Sequence, residues 1–188
     1  MIRKILASLG LLVLAFLAYV AMKPPVQVVS RQARLAAPPA TVFPHINDFH
    51  KWQAWSPWAD LDPKAKASFE GPDTGIGAAF SWAGNREVGE GKMTIVESTP
   101  SELVRMRIGF VKPFASVSEA VFQLTPDGDG SNVTWTMRGD QPFMARVACT
   151  LMYCERMIGN MFLKGLKNLN AVVAPGAPAP THSPAQRP

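Results

Sequence analysis

At 188 residues, 47% hydrophobic and 18% charged, the chain has the balance of one globular domain with extensions and enough apolar residues for a sizeable core. A formal net charge of +5 invites a nucleic-acid reading, but Arg3, Lys4 and Lys23 flank the first apolar segment, and the other sixteen of the 19 basic residues are scattered singly among 14 acidic ones. That distribution sets nucleic acid aside as a partner.

Residues 5–22, ILASLGLLVLAFLAYVAM, carry no charge, which is long enough to cross a bilayer at the short end of the range. A cleaved signal peptide is the rival, but Tyr19 and Met22 disturb the small-x-small pattern that cleavage needs. An uncleaved anchor over 1–23 is therefore expected. Arg3 and Lys4 would hold its N-terminus in the cytoplasm and place the rest outside.

Lys23-Pro24-Pro25 makes a stiff exit, and VQVVSRQARLAA (26–37) reads as a strand. Pro38-Pro39 then opens a helix expected over 40–58, broken at Ser56-Pro57, with a short second helix at 59–65. Pro44 is tolerable only in a first turn, so that helix should begin near Ala40–Thr41. Strands follow at 67–71, 76–82, 88–97, 103–111, 116–125 and 132–139. Their lengths and short turns, PDGDG (126–130) above all, argue for an antiparallel meander. From Pro142 the period lengthens. Val147, Leu151, Cys154, Ile158, Phe162, Leu166, Leu169 and Val172 mark one amphipathic helix over 143–173. The Pro-rich end, 174–188, is expected to be a disordered tail.

Cys149 and Cys154 fall five apart in that long helix, about 140° around its axis. They are expected as separate buried thiols, although an exported location would permit a disulfide. His45 and His50, also five apart, do not share a helix face, and no metal site is expected. Asp60 and Asp62 suit turn caps. Arg105 and Arg107 suit a solvated strand face, and Glu119 and Arg138 suit a cross-strand pair. GPDTGIG (71–77) lacks the ending of a phosphate loop, and no hydrolase nucleophile motif occurs.

Alternation puts Val104, Met106, Ile108 and Phe110 on one face, and likewise Ala120, Phe122 and Leu124, then Val133, Trp135 and Met137. Met93 and Ile95 face the same way, as do Ile76, Ala78, Phe80 and Trp82. Three of the five tryptophans, Trp52, Trp55 and Trp58, crowd into 50–63. A long apolar helix must bury its face against such a sheet, and the space between them is either filled or hollow.

The element order resembles the SRPBCC (START-like, helix-grip) superfamily, and its bacterial polyketide cyclase/dehydrase-like branch in particular. The likeness rests on APPATVFPHINDFHKWQAWSPW (37–58), FSWAGNREVGEGKMTIVES (80–98), RIGFVKP (107–113), SNVTWTMRGD (131–140) and GNMFLKGLKNL (159–169). It covers about residues 26–173. The resemblance implies an α+β helix-grip fold: a curved antiparallel sheet of about seven strands around a long C-terminal helix, with two short helices after the first strand. It also implies an apolar cavity between sheet and helix, with Trp52, Trp55 and Trp58 plugging or lining one end.

Ligand contacts are expected from Trp55, Phe80, Trp82, Met93, Met106 and Ile108, with Phe122, Trp135, Met137, Met157 and Met161. The family offers no universal catalytic residue, so none is assigned, and no cofactor or metal is expected. The leading expectation is a monomer that binds or transports a lipid, isoprenoid or polyketide-like molecule. It would be held to the cytoplasmic membrane by one span, with its domain (24–173) on the outer side. The alternatives are a cyclase or dehydratase using the same cavity, and an interaction module with a filled core.

Overall fold

The computed structural model describes residues 2–113, 115–174 and 176. Helix α1 (Ile2–Met22) leads into β1 (Val26–Leu35), α2 (Pro39–Ile46) and a 3-10 helix (Phe49–Ala54). Six strands follow: β2 (Lys66–Glu70), β3 (Ala79–Ala83), β4 (Glu90–Thr99), β5 (Leu103–Lys112), β6 (Ser116–Asp127) and β7 (Gly130–Asp140). Helices α3 (Phe143–Met152) and α4 (Cys154–Val173) follow the sheet. The seven strands form one antiparallel sheet in the order β1-β7-β6-β5-β4-β3-β2. This is the expected α+β helix-grip arrangement.

The turns follow the sequence chemistry. Asp127 and Gly130 pair across the β6–β7 hairpin, leaving Gly128-Asp129 as its tip, and Gly128 takes a φ of 62° that a side chain would resist. Arg34 from β1 clasps that tip through Asp127 (3.1 Å) and Asp129 (2.7 Å). Between β4 and β5 the register slips at Glu90/Gly91 and again at Ile95/Glu97. Such bulges bend a sheet and increase its twist, which helps it to wrap.

The antiparallel register sorts the sheet into two ends. At one end lie the end of β1, α2, and the β4–β5 and β6–β7 turns. Here the core is solid: Leu35, Val42, Ile46, Val104, Phe122, Leu124, Val133, Leu166 and Leu169 are all buried. At the other end β1 enters beside the exit of β7, Val26 opposite Asp140, and Glu90 lies opposite Lys112. Trp82, Phe110, Met137 and Ile158 are only partly buried there.

Several local expectations need correction. The helix expected over 40–58 stops at Ile46, and Pro44 sits inside it rather than in its first turn. Asp48 then starts the 3-10 helix, its Oδ1 accepting from the His50 N–H at 2.9 Å, and residues 59–65 form turns. The helix expected over 143–173 is two helices, because Tyr153 turns left-handed at φ 53°, ψ 43°. That break brings the Cα atoms of Cys149 and Cys154 to 4.9 Å, and the two form a disulfide. The angular argument against it required a continuous helix. Finally, Ile76 precedes its strand and is exposed, and Glu119, though opposite Arg138, pairs with Arg105 at 2.7 Å, which also holds Glu97. Of the tail expected at 174–188, residues 175 and 177–188 lie outside the described residues.

Helix α1 is apolar and long enough to cross a membrane, and it lies near the N-terminus, where signal sequences have the same character.

Candidate functional site

The tryptophan segment is fixed first by hydrogen bonding. A helix leaves its last carbonyls without partners. In α2 two of them are met by indoles: Trp52 Nε1 donates to the Ile46 carbonyl at 2.9 Å, and Trp55 Nε1 to the His45 carbonyl at 3.0 Å. Helix α4 secures the same segment from the other side. Asn168 Nδ2 donates to the Trp55 carbonyl at 3.2 Å, and Lys164 pairs with Asp60 at 2.9 Å. Asp62 takes the capping role expected of it, accepting from the backbone N–H of Lys64 and, at 2.7 Å, of Asn85 in the β3–β4 hairpin.

These ties suspend an aromatic cluster between sheet and helix. Trp135 on β7 stacks on Phe162 of α4, centroids 4.2 Å apart and planes within 6°. Trp58 meets Trp135 edge-on at 5.7 Å, and Trp52 packs on Trp55 at 4.7 Å. Gly165 makes the approach of α4 possible, since a Cβ there would lie 2.8 Å from the Trp135 ring and 3.1 Å from Pro57. Gly91 plays a similar part under Trp82, whose ring would lie 2.6 Å from an added Cβ.

Beyond this cluster the space opens into a cavity of about 320 Å³, lined by 25 residues from the 3-10 helix and the turns after it, the strands, the β3–β4 turn and α4. Ligand pockets of drug-sized molecules occupy about 300–1,000 Å³, so this one suits a small or slender guest. Met93, Met106, Ile108 and Ala120 line its sheet side, Ile158 and Phe162 its helix side. The ionisable lining residues are His50, Asp62 and Lys66. His50 and Lys66 are exposed, and the His50 ring stacks on Phe69 at 4.1 Å, so these groups flank the chamber. The indole N–H of Trp135 is buried and has no hydrogen-bond partner among the described residues.

Seven of the eleven expected contact residues line this cavity: Phe80, Trp82, Met93, Met106, Ile108, Trp135 and Met137. Trp55 and Phe122 lie beneath it in the solid core, 1% and 0% exposed. Met157 faces solvent at 54% exposure and Met161 is half-buried off the cavity wall. Period three to four alone cannot separate neighbouring positions on a helix, and it is Ile158 and Phe162 that face inward. Both already belonged to the expected apolar stripe, as Phe110 did to its strand face. Phe69, on an edge strand with every residue exposed, had no signal in its alternation.

The curved sheet and the helix that grips it, with the apolar cavity between them, define a helix-grip protein. The model of the family described as polyketide cyclase/dehydrase and lipid transport matches residues 26–174, and the chain belongs to that family. Solved structures share the fold at low identity. A protein from Nitrosospira multiformis superposes with a TM-score of 0.58 at 18% identity, covering 79% of this chain and 97% of its own. One from Chromobacterium violaceum gives 0.56 at 18% identity, with coverage of 79% and 97%. The Aha1 dimer from Colwellia psychrerythraea gives 0.53 at 15%, with coverage of 80% and 98%. No curated protein matches the chain.

Proposed function

We propose that residues 24–173 form a domain that binds or carries a hydrophobic small molecule of lipid, isoprenoid or polyketide-like type. In this reading α1 holds the domain to the cytoplasmic membrane, with the domain on the outer side. The observation that carries the proposal is the division of the interior. One end is packed solid, and the other holds a 320 Å³ cavity walled by Met, Trp and Phe. Membership of a family that includes lipid transport supports the same class of ligand.

Apolar burial supplies the affinity, at about 25 cal/mol per Å² removed from water. Met93, Met106 and Met137 give the wall side chains that adapt to different shapes.

Displacement of a fluorescent fatty-acid probe tests this. Ala120 is 2% exposed and lines the cavity, so Ala120→Phe places a ring in the ligand space. The variant should keep its far-UV circular dichroism and bind the probe at least about tenfold more weakly, the loss of roughly 1.4 kcal/mol. Equal binding by wild type and Ala120→Phe would place the ligand elsewhere.

A further inference from the structure

Helix α3 buries none of its residues and has no acidic residue in FMARVACTLM. Met144, Leu151, Met152 and, just beyond, Tyr153 are between 61% and 72% exposed. A run of large apolar side chains facing water on one short helix calls for a cover. The contacts of α3 indicate which. Arg146 Nη1 donates to the Lys23 carbonyl at 2.6 Å and to the Ala21 carbonyl at 3.5 Å, capping the C-terminus of α1. Lys23 Nζ donates to Thr150 Oγ1 at 3.1 Å, and Val20 is fully buried. Helix α3 is thus strapped to the last turn of the apolar helix. The Cys149–Cys154 disulfide pins the corner at Tyr153, so α3 turns away from α4 instead of extending it.

We infer that α3 lies on the bilayer surface where α1 emerges, with Met144, Leu151, Met152 and Tyr153 set into the boundary between headgroups and acyl chains. This rests on α1 being a membrane span. Tyr19 and Lys23, the ammonium 5.0 Å from the ring centre, mark the level of the interface, because aromatic and basic residues anchor helix ends there. Helix α3 is bonded to that same level. Cations outnumber carboxylates here: Lys23, Arg146 and Arg156 stand against Asp140, opposite Val26, and Glu155, which Arg31 holds at 2.8 Å. An apolar helix face rimmed by cations suits anionic phospholipid. The seating also sets the direction of the cavity. Val26, the first residue after the exit from α1, lies opposite Asp140, at the sheet end where Trp82, Phe110 and Met137 line the chamber. That end would face the lipid.

The test uses the full chain in vesicles of phosphatidylcholine and phosphatidylglycerol. A benzophenone amino acid is placed singly at Leu9 in α1, at Met144 or Leu151 in α3, and at Val96 on the outer sheet face, which is also exposed. Illumination should give phospholipid adducts at Leu9, Met144 and Leu151, with about tenfold fewer at Val96. Adducts at Leu9 with only the Val96 level at Met144 and Leu151 would overturn the seating and leave the anchor standing. Protein dimers at Met144 and Leu151 would replace the bilayer with a second copy. A lack of adducts at Leu9 would remove the anchor and this inference with it, while leaving the cavity untouched. As a second readout, Leu151→Asp should lower the lipid yield at Met144 several-fold, and an unchanged yield would count against the seating.

Discussion

Trp52 and Trp55 act as much through their N–H groups as through their rings. Each closes a carbonyl that the early end of α2 leaves open, at Ile46 and His45. Trp52→Phe keeps most of the ring volume and removes the donor. It should cost about 1–3 kcal/mol, the penalty of an unsatisfied buried carbonyl, seen as a lower urea midpoint by circular dichroism. An unchanged midpoint would show that the Ile46 carbonyl finds another donor. His45 gives a pH signature. Burial, reinforced by Lys51 and opposed by Asp48, pushes its ring below the ordinary value of 6.5. The unfolded chain therefore takes up a proton that the folded chain resists. Stability from this group is present above pH 6.5 and is lost as pH falls through that value toward the folded one. Between about pH 7.5 and 5.5 the melting temperature of wild type should fall more than that of His45→Phe. Parallel curves would remove His45 as the source.

Among the elements, the corner between α3 and α4 is the one that hydrophobic periodicity does not mark. The apolar stripe from Val147 to Val172 is continuous in the sequence, yet the helix breaks at Tyr153. Nothing in the local chemistry marks the break, because Tyr is a poor left-handed residue and neither Gly nor Asn stands there. The disulfide and the seam with α1 are tertiary facts, so periodicity could not report them. Strands were different. Their alternation, set by a pleat of period two, placed Met106, Ile108, Ala120, Trp135 and Met137 on the correct face, and the Gly-Asp hairpin fixed a register. Two outcomes follow for the corner. Tyr153→Gly relieves a left-handed conformation that costs an L-residue roughly 1–2 kcal/mol and should raise the melting temperature. Replacing Cys149 and Cys154 by Ser should raise hydrogen exchange across 143–157 while the strands of the sheet keep their protection. Loss of protection throughout would make the disulfide a support of the whole fold.

Across the whole molecule, the fold was open to inference from the sequence, and the state of its interior was not. Order, strand pairing and the gripping helix follow from periodicity and turn chemistry. Whether the inward set fills its space depends on how far α4 stands from the sheet, which Gly165, the β4–β5 bulges and the aromatic stack decide together. Composition records none of these. The interior is graded: solid around Leu35, Val104 and Leu169, and open around Met93, Ile108 and Met137. The same grading explains why Trp55 and Phe122, on correctly assigned apolar positions, lie under the cavity rather than in it.

If the open end holds a hydrophobic molecule, native mass spectrometry of the full chain will detect it. Wild type and Ala120→Phe are released from the same detergent, and any bound species is extracted and identified. Wild type should carry one stoichiometric adduct of an apolar molecule, absent from Ala120→Phe. An empty wild type that also refuses fatty-acid and sterol probes, or an adduct retained equally by both proteins, would contradict it.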